Sequence, residues 1–394
     1  IIEDSVIKLQ AQSSGLKESL YAVAYKKYKG SLEFRVVTEQ DRLGYESSNK
    51  RIEQILKLTE TNLIPNELII NDHGQILNYC KQWCDIFNAR QILTLVTYVE
   101  IINDAKILIK TEYESEKTEA ILTYLALILD RCADVNCRLG HWEATRVSSK
   151  TASAQHSLNL MWNYPEFNGA SELWNLCTET VASNYKGICS LLGTKTASES
   201  LPGVTIHGSK FIQIEAASAN NLTHIIDNSV DIIVIDPPYY GTIPYADLSD
   251  FFYVWMKRTL GDIFPELFYL EICDRERETV ANPSRFRNMG VSPEELANQD
   301  YEAKMAMAFA EYHRVLRDDG VMTVQFNHKD SGAWDVLAKS LIDAGFEITT
   351  SWAVSTENPQ NLHQAQKNAV SSTVLLVCRK RAPDAEQAWW DDVR

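Results

Sequence analysis

The sequence predicts an α/β protein in which a mainly helical region precedes a parallel sheet. From residue 204 onward, β-branched apolar runs alternate with helical patterns, which is typical of parallel strands joined by helices. Before residue 200 the apolar spacing is mostly helical, above all in 89–108 and 118–136. Three regions are predicted: a small β-rich or mixed segment at 1–63, a mainly helical region at 64–200, and a sheet-containing region at 201–394.

Individual elements follow from local patterns. Near the start, 20–25 and 32–37 read as paired strands around Lys29-Gly30, and 48–57 reads as a helix. In the last region the predicted strands are 206–215, 229–235, 321–326, 346–351 and 372–378. A short helical or capped segment is predicted at 220–226, and longer helices at 246–260, 299–316 and 334–344, with Arg317–Gly320 as a turn and Gly345 as a cap. The last two strands are expected to form an antiparallel hairpin.

Composition and charge limit the classes of function. The chain has 394 residues, and its 45% hydrophobic and 23% charged residues are near the average for globular proteins. No apolar run approaches the roughly 20 residues of a membrane span, so no membrane partner is predicted. A net charge of -15 argues against extensive coating of nucleic acid but permits a local basic groove. The four arginines between 275 and 287 are such a candidate; phosphate contact and a solvated loop neutralised by nearby glutamates remain equally open.

The cysteines and one aromatic cluster each admit two interpretations. Eight cysteines lying among long helices indicate a reducing, cytoplasmic location. The pairs Cys80/Cys84 and Cys132/Cys137 lack the tight spacing of zinc knuckles, so buried thiols are predicted and no metal site. The cluster at 162–168, WNYPEFN, fits either the packing of aromatic side chains between domains or a platform for unpaired bases. The chain opens in mid-pattern without Met, which is typical of a fragment, and no signal peptide is recognisable.

The most informative stretch is a strand that ends in two prolines. Val230–Ile235 is a β-branched run broken only by Asp231, of the kind found in strands buried on both faces. It stops at Asp236-Pro237-Pro238, because proline lacks an N–H and fixes φ, and Tyr239 follows directly. In open α/β sheets, ligands bind at the carboxyl ends of strands, so Asp236 and its neighbours are predicted to form the functional site.

This arrangement suits methyl transfer to an exocyclic amino nitrogen. A base amine is a poor nucleophile, and it becomes reactive when two acceptors hold its two protons and pull the nitrogen towards a tetrahedral shape. The Asp236 carboxylate and the Pro237 carbonyl are the predicted acceptors, and Tyr239 would stack on a flipped base. The simpler alternative is that a strand ending in Asp-Pro is an ordinary turn.

The assembled segments resemble the C-terminal part of the large bacterial and archaeal adenine-specific DNA methylases, a family often found beside anti-phage defence genes. Four segments, scattered over 64–380, carry the resemblance. They are DPPYYGTIPYADLSDFFYVW, WCDIFNARQILTLVTYVE, LTYLALILDRCADVN with Arg138–Trp142 after it, and HSLNLMWNYPEFN. The resemblance implies a Rossmann-like sheet of the S-adenosylmethionine-dependent methyltransferases with an added, mainly helical N-terminal region.

The resemblance also assigns roles to single residues. Asp236, Pro237, Pro238 and Tyr239 would form the amino-group pocket, with Tyr240 and Tyr245 lining its approach. On the cofactor side Asp236 would take part again, and Ser218 would stand where such enzymes commonly carry an acidic residue. The family's Phe-x-Gly-x-Gly turn is found nowhere in the sequence. The chain is therefore expected to lack the first strand and half of the cofactor pocket.

Three hypotheses of function follow. The first is an S-adenosylmethionine-dependent DNA methyltransferase that acts on a flipped base in double-stranded DNA, with adenine preferred by resemblance. The second is an RNA or protein amide methyltransferase, because similar turns serve those substrates. The third is a non-catalytic half of a split methylase that binds DNA or a partner. An upstream segment or other defence-system proteins are the expected partners.

Overall fold

The computed structural model describes residues 4–14, 18–26, 32–58, 61–70, 75–143, 148–155, 157–192, 212–241, 243, 245–287, 289–290, 292–328, 331–354, 373–382 and 384–385. The chain divides into two compact units. The first comprises 1–212 and 244–275, and the second comprises 213–243 and 276–394. The described part of the chain is mixed α/β, with eight α-helices and a mixed sheet of four strands in the second unit.

The first unit is mainly helical. Its helices are α1 (Asp4–Ser14), α2 (Glu39–Leu58), α3 (Ala89–Glu112), α4 (Ser115–Val135), α5 (Leu173–Leu192) and α6 (Tyr245–Leu260). Two antiparallel hairpins accompany them, β1 (Ala22–Lys26) with β2 (Leu32–Val36) and β3 (His141–Glu143) with β4 (Ser148–Lys150). The hairpin predicted near the start is confirmed, although Lys29 and Gly30 lie outside the described residues. The helix predicted at 48–57 is the second half of α2.

Helix α3 shows how local sequence and packing agree. Asn88 caps it: its side chain accepts from the Gln91 backbone N–H, and the Gln91 side chain accepts from the Asn88 N–H, both at 2.9 Å. The helix then buries an apolar stripe at helical spacing, Ile92, Leu95, Val96, Val99 and Ile102. This stripe belongs to the core of the first unit, which also contains Phe251 and Trp255 of α6.

The second unit is built on the four-stranded sheet. Its strands are β5 (Val230–Ile235), β6 (Leu316–Phe326), β7 (Phe346–Val354) and β8 (Thr373–Lys380), in the spatial order β5-β6-β8-β7. Strands β5 and β6 pair in parallel, whereas β8 pairs antiparallel with both β6 and β7. The connections include α7 (Pro293–Val315) and α8 (Ser331–Asp343). The predicted antiparallel pairing of the last two strands is therefore confirmed.

One face of this sheet is covered and the other is largely open at β5. Ile233 and Ile235 pack against the core of the second unit, which includes residues of α7 and α8. Ile232 and Val234 point the other way and are 67% and 74% exposed. The prediction that β5 is buried on both faces is wrong for the described residues. The physical reason is that a strand face is buried only by a layer packed against it, and the described residues leave the face of Ile232 and Val234 uncovered.

Several predicted boundaries also changed. Helix α7 begins at Pro293 because Ser292 caps it and accepts from the Glu295 N–H. Arg317–Gly320 is not a simple turn but a bulge in β6: Val230 pairs with Leu316 while Ile232 pairs with Val321. The expected cap at Gly345 is confirmed by its φ of 90°.

The segment before β5 contradicts two predictions. Residues 206–211 of the predicted strand 206–215 lie outside the described residues, and 212–215 form no strand. The predicted helical segment 220–226 is a series of turns, because its backbone groups bond to α7. The Leu222 N–H donates to Glu311 at 2.7 Å, and Arg314 donates to the Leu222 and Ile225 carbonyls at 2.8 and 3.1 Å.

None of the described helices is both long and apolar enough to span a bilayer.

Candidate active site

The predicted catalytic residues lie at the carboxyl end of β5. The parallel register places Ile235 beside Val324, so the next residue on each strand, Asp236 and Gln325, are neighbours. The Gln325 side-chain amide donates to Asp236 Oδ2 at 3.3 Å, and the Tyr239 hydroxyl donates to Asp236 Oδ1 at 2.5 Å. Asp236 itself is exposed. The carboxyl end of β5 therefore presents a solvent-accessible carboxylate, and each of its two oxygens is oriented by one hydrogen-bond donor.

The two prolines and the residues after them form a tight turn. The Pro238 carbonyl accepts two hydrogen bonds, from the Tyr301 hydroxyl at 2.8 Å and from the Tyr240 N–H at 3.1 Å. Tyr240 has a φ of 58°, in the left-handed region that non-glycine residues seldom adopt. By contrast, the Pro237 carbonyl accepts no hydrogen bond from any residue that the structure describes.

A second segment of the unit, around Ala281, also contacts this turn. The Ala281 N–H donates to the Tyr240 carbonyl at 3.2 Å. A Cβ atom placed on Gly241 would lie 2.8 Å from the Ala281 carbonyl oxygen, so glycine is required by this close approach. Hydrogen bonds from Tyr301 of α7 and from Ala281 therefore hold the turn in place.

Aromatic rings surround the turn. Tyr239 makes an edge contact with Phe326 at 5.4 Å between ring centroids, and Tyr240 makes one with Tyr301 at 5.0 Å. Phe326 in turn packs edge-on against Trp334 at 4.9 Å. Such T-shaped pairs are favourable and fix ring orientation. The site thus combines one exposed carboxylate, one open carbonyl and a wall of buried and partly buried aromatic side chains.

Two other predicted site residues lie in other segments of the chain. Tyr245 is the first residue of α6 and belongs to the first unit. Ser218 lies in an irregular segment of the second unit, partly exposed, where its carbonyl accepts the Asn221 N–H at 2.9 Å. The roles of Tyr245 in lining the pocket and of Ser218 in holding cofactor stay predictions.

Sequence reasoning missed Gln325 and Tyr301. A signal existed for Gln325, because it ends the strand predicted at 321–326 and the ends of neighbouring parallel strands meet at one edge. Tyr301 is fully buried on α7, and burial raises its pKa to about 12. No local pattern marks it, since its contact with Pro238 joins residues 63 apart in the sequence.

The arginine-rich segment is largely neutralised. Arg275 bonds to the buried carboxylates of Asp247 and Asp250 on α6. Arg285 bonds to Glu276 at 2.5 Å and to Asp300 at 3.3 Å. Two of the four arginines therefore pair with carboxylates of their own unit. For these two, a structural role is favoured over contact with phosphate. Arg277 and Arg287 are exposed.

The other candidate features contribute to the core of the first unit. Cys80, Cys132 and Cys137 are buried, and burial raises the pKa of the Cys80 and Cys137 thiols to about 12. In the aromatic cluster, Glu166 accepts from Arg90 at 2.6 Å and from the Asn88 cap of α3 at 2.6 Å. These contacts favour packing over a base platform for that segment, although Trp162 remains 63% exposed.

No protein-family model matches this chain, and it matches none of the curated proteins. A functional conclusion must therefore come from the residues at the carboxyl end of β5.

Proposed function

We propose that the chain is an S-adenosylmethionine-dependent DNA methyltransferase that acts on the exocyclic amino group of a flipped base, with adenine as the preferred base. One observation supports this more than any other. The Asp236 carboxylate and the open Pro237 carbonyl lie in adjacent residues at the carboxyl end of a parallel strand. These two groups are the acceptors that an amine with two protons requires.

The carboxylate has capacity for a substrate. Its two oxygens together offer about four acceptor sites. Tyr239 and Gln325 occupy one site on each oxygen. An incoming amine can therefore bond to Asp236 while Gln325 stays in place, and its second proton is available to the Pro237 carbonyl. Holding both protons aims the nitrogen lone pair away from the acceptors, and such fixed positioning is a large source of rate acceleration.

The aromatic wall supports recognition of an extruded base. Enzymes that modify bases flip the target nucleotide out of the duplex and stack it against aromatic or apolar side chains. Tyr239 is the first ring beyond the prolines, and its edge contact with Phe326 fixes it close to the acceptors. Double-stranded DNA is accordingly the proposed substrate, and the adenine preference rests on the family resemblance.

The described residues do not fit the whole of the methyl donor. S-adenosylmethionine, when bound, supplies a methyl group on a positively charged sulfur. The segment 217–219 is irregular and mostly exposed, and the sequence has no Phe-x-Gly-x-Gly turn. Strand β5 is at the edge of the described sheet, which supports the proposal that a further strand pairs with it and brings that turn.

That same edge favours a second candidate function. A chain with an incomplete cofactor pocket can serve as the base-binding half of a split methylase, which is active only after its partner joins the β5 edge. On the motif alone, RNA and protein amide methyltransferases remain alternatives, because two acceptors at such a turn can hold the protons of any planar amine.

Transfer of radiolabelled methyl groups tests these proposals. The chain is incubated with labelled S-adenosylmethionine and, in parallel, with DNA, RNA and a protein extract. The assay is repeated with any coding sequence upstream of the chain restored. Label in DNA from either preparation supports the proposal, and label only after restoration indicates that the chain is the base-binding half of a larger methylase. Label confined to RNA or protein, or no label in any substrate, contradicts it.

A further inference from the structure

We propose that Tyr301 is a positioning residue for the amino-group site: its hydroxyl fixes the turn so that the Pro237 carbonyl stays open to the substrate amine. This inference rests on the proposed function and adds to it a residue outside the Asp-Pro-Pro-Tyr motif. Tyr301 lies on α7 and is 1% exposed, so its hydroxyl requires a partner inside the protein.

That partner is the Pro238 carbonyl, 2.8 Å away. The same carbonyl accepts the Tyr240 N–H at 3.1 Å, so both of its lone pairs are engaged. Of the two proline carbonyls, one is thus saturated by protein donors, and the other has no donor among the described residues. This asymmetry determines which carbonyl is available to a substrate.

The bond also restricts the backbone on both sides. Proline rings lock φ at Pro237 and Pro238, so the remaining freedom of this segment lies mainly in the ψ angles. A hydrogen bond to the Pro238 carbonyl fixes the plane of the following peptide and, through it, the direction of the chain. Tyr240 then adopts its left-handed φ of 58°, supported by the ring contact with Tyr301.

The donor remains protonated in the working range of a methyltransferase. Burial raises the pKa of Tyr301 to about 12, so the hydroxyl keeps its proton at neutral pH. Nothing in this geometry brings Tyr301 to the reacting atoms. It acts through the Pro238 carbonyl, and its removal should change the orientation of the acceptors rather than the affinity for DNA.

The variant Tyr301→Phe isolates this hydroxyl, because the ring and its packing are kept. We expect kcat for methyl transfer to fall about tenfold, with KM for DNA and for S-adenosylmethionine within about twofold of wild type. The matched control is Tyr312→Phe on the same helix. Tyr312 packs against Phe309, and its hydroxyl bonds to no residue that the structure describes. This control should keep wild-type kinetics.

Amide hydrogen exchange provides a readout that does not depend on activity. The Tyr240 N–H bonds to the same carbonyl, so Tyr301→Phe should accelerate its exchange while Tyr312→Phe leaves it unchanged. A fall in kcat with faster Tyr240 exchange supports the inference. The inference is overturned if Tyr301→Phe keeps the wild-type kcat and the wild-type exchange rate of the Tyr240 N–H. It is also overturned if kcat falls equally in Tyr301→Phe and Tyr312→Phe. Either result leaves the proposed function unaffected. Failure of the wild-type protein to methylate any substrate, even with the coding sequence upstream of the chain restored, contradicts the function, and the positioning role falls with it.

Discussion

Replacement of Asp236 separates its proposed role in catalysis from its role in the fold. In the proposed site, Asp236→Ala removes one of the two acceptors that hold the amine. Deleting one preorganised hydrogen-bonding group from an active site typically costs about 100- to 1,000-fold in kcat, or about 3 to 4 kcal/mol of activation free energy. The fold loses little, because Asp236 is exposed and receives only the Tyr239 and Gln325 hydrogen bonds among those identified. The free energy of unfolding should fall by less than about 1 kcal/mol.

A second variant at this position distinguishes an acceptor from a charge. Asp236→Asn keeps one oxygen that can accept from the amine, but its NH₂ group replaces the other acceptor oxygen, which accepts from Tyr239 or Gln325 in wild type. We therefore expect activity between those of wild type and Asp236→Ala, at least about tenfold above the alanine variant.

The assay is the initial rate of methyl incorporation into DNA, with urea unfolding of each variant as the control for folding. Wild-type activity in Asp236→Ala would refute the acceptor role outright. Equal activity of the alanine and asparagine variants would show that the side-chain oxygen is not what the reaction needs.

Three further predictions concern the surroundings of the site and the acid stability of the fold. Tyr239→Phe should lower methylation less than Tyr239→Ala, because it loses only the hydroxyl that orients Asp236, whereas alanine also loses the stacking ring and should cost about tenfold or more; equal rates in the two variants would exclude stacking. Arg275→Met should lower the free energy of unfolding by about 3 to 5 kcal/mol in urea titrations, because it leaves two buried carboxylates without their cation; an unchanged midpoint would contradict this. Hydrogen bonds from Arg314 lower the pKa of Glu311 from 4.5 to about 2, so its contribution to stability is present above pH 4.5 and is lost as the pH falls towards 2. In Glu311→Gln, the free energy of unfolding should fall less steeply than in wild type as the pH is lowered below 4.5. An identical pH dependence in the two proteins would rule out a contribution from Glu311.

Elements with strong local signals were predictable from the sequence. The helix predicted at 246–260 is α6, Tyr245–Leu260, and the strand predicted at 229–235 is β5, Val230–Ile235. The glycine at 345 takes the positive φ expected of a helix cap. At the site, the contact between Tyr239 and Asp236 involves residues three apart, and the motif alone placed them together.

Other features depend on distant parts of the chain and could not be predicted locally. The β-branched composition of β5 predicted burial on both faces, but burial of a strand face is set by the layer packed against it, and the described residues leave the face of Ile232 and Val234 uncovered. The bulge at Arg317–Gly320 arises from strand register, which a turn-like sequence does not reveal. The Tyr301 contact with Pro238 joins positions 63 apart and has no sequence signal.

The most direct test of the proposed chemistry is mass spectrometry of nucleosides from DNA exposed to the protein and to S-adenosylmethionine with a deuterated methyl group. The coding sequence upstream of the chain is restored for this test, so that an incomplete cofactor pocket does not limit it. The deuterated methyl group should appear on the exocyclic nitrogen, as N6-methyl-2′-deoxyadenosine, and should be absent when Asp236→Ala is used. Deuterium found only on a base carbon, or no deuterium in DNA, would contradict transfer to an amine held by Asp236 and Pro237.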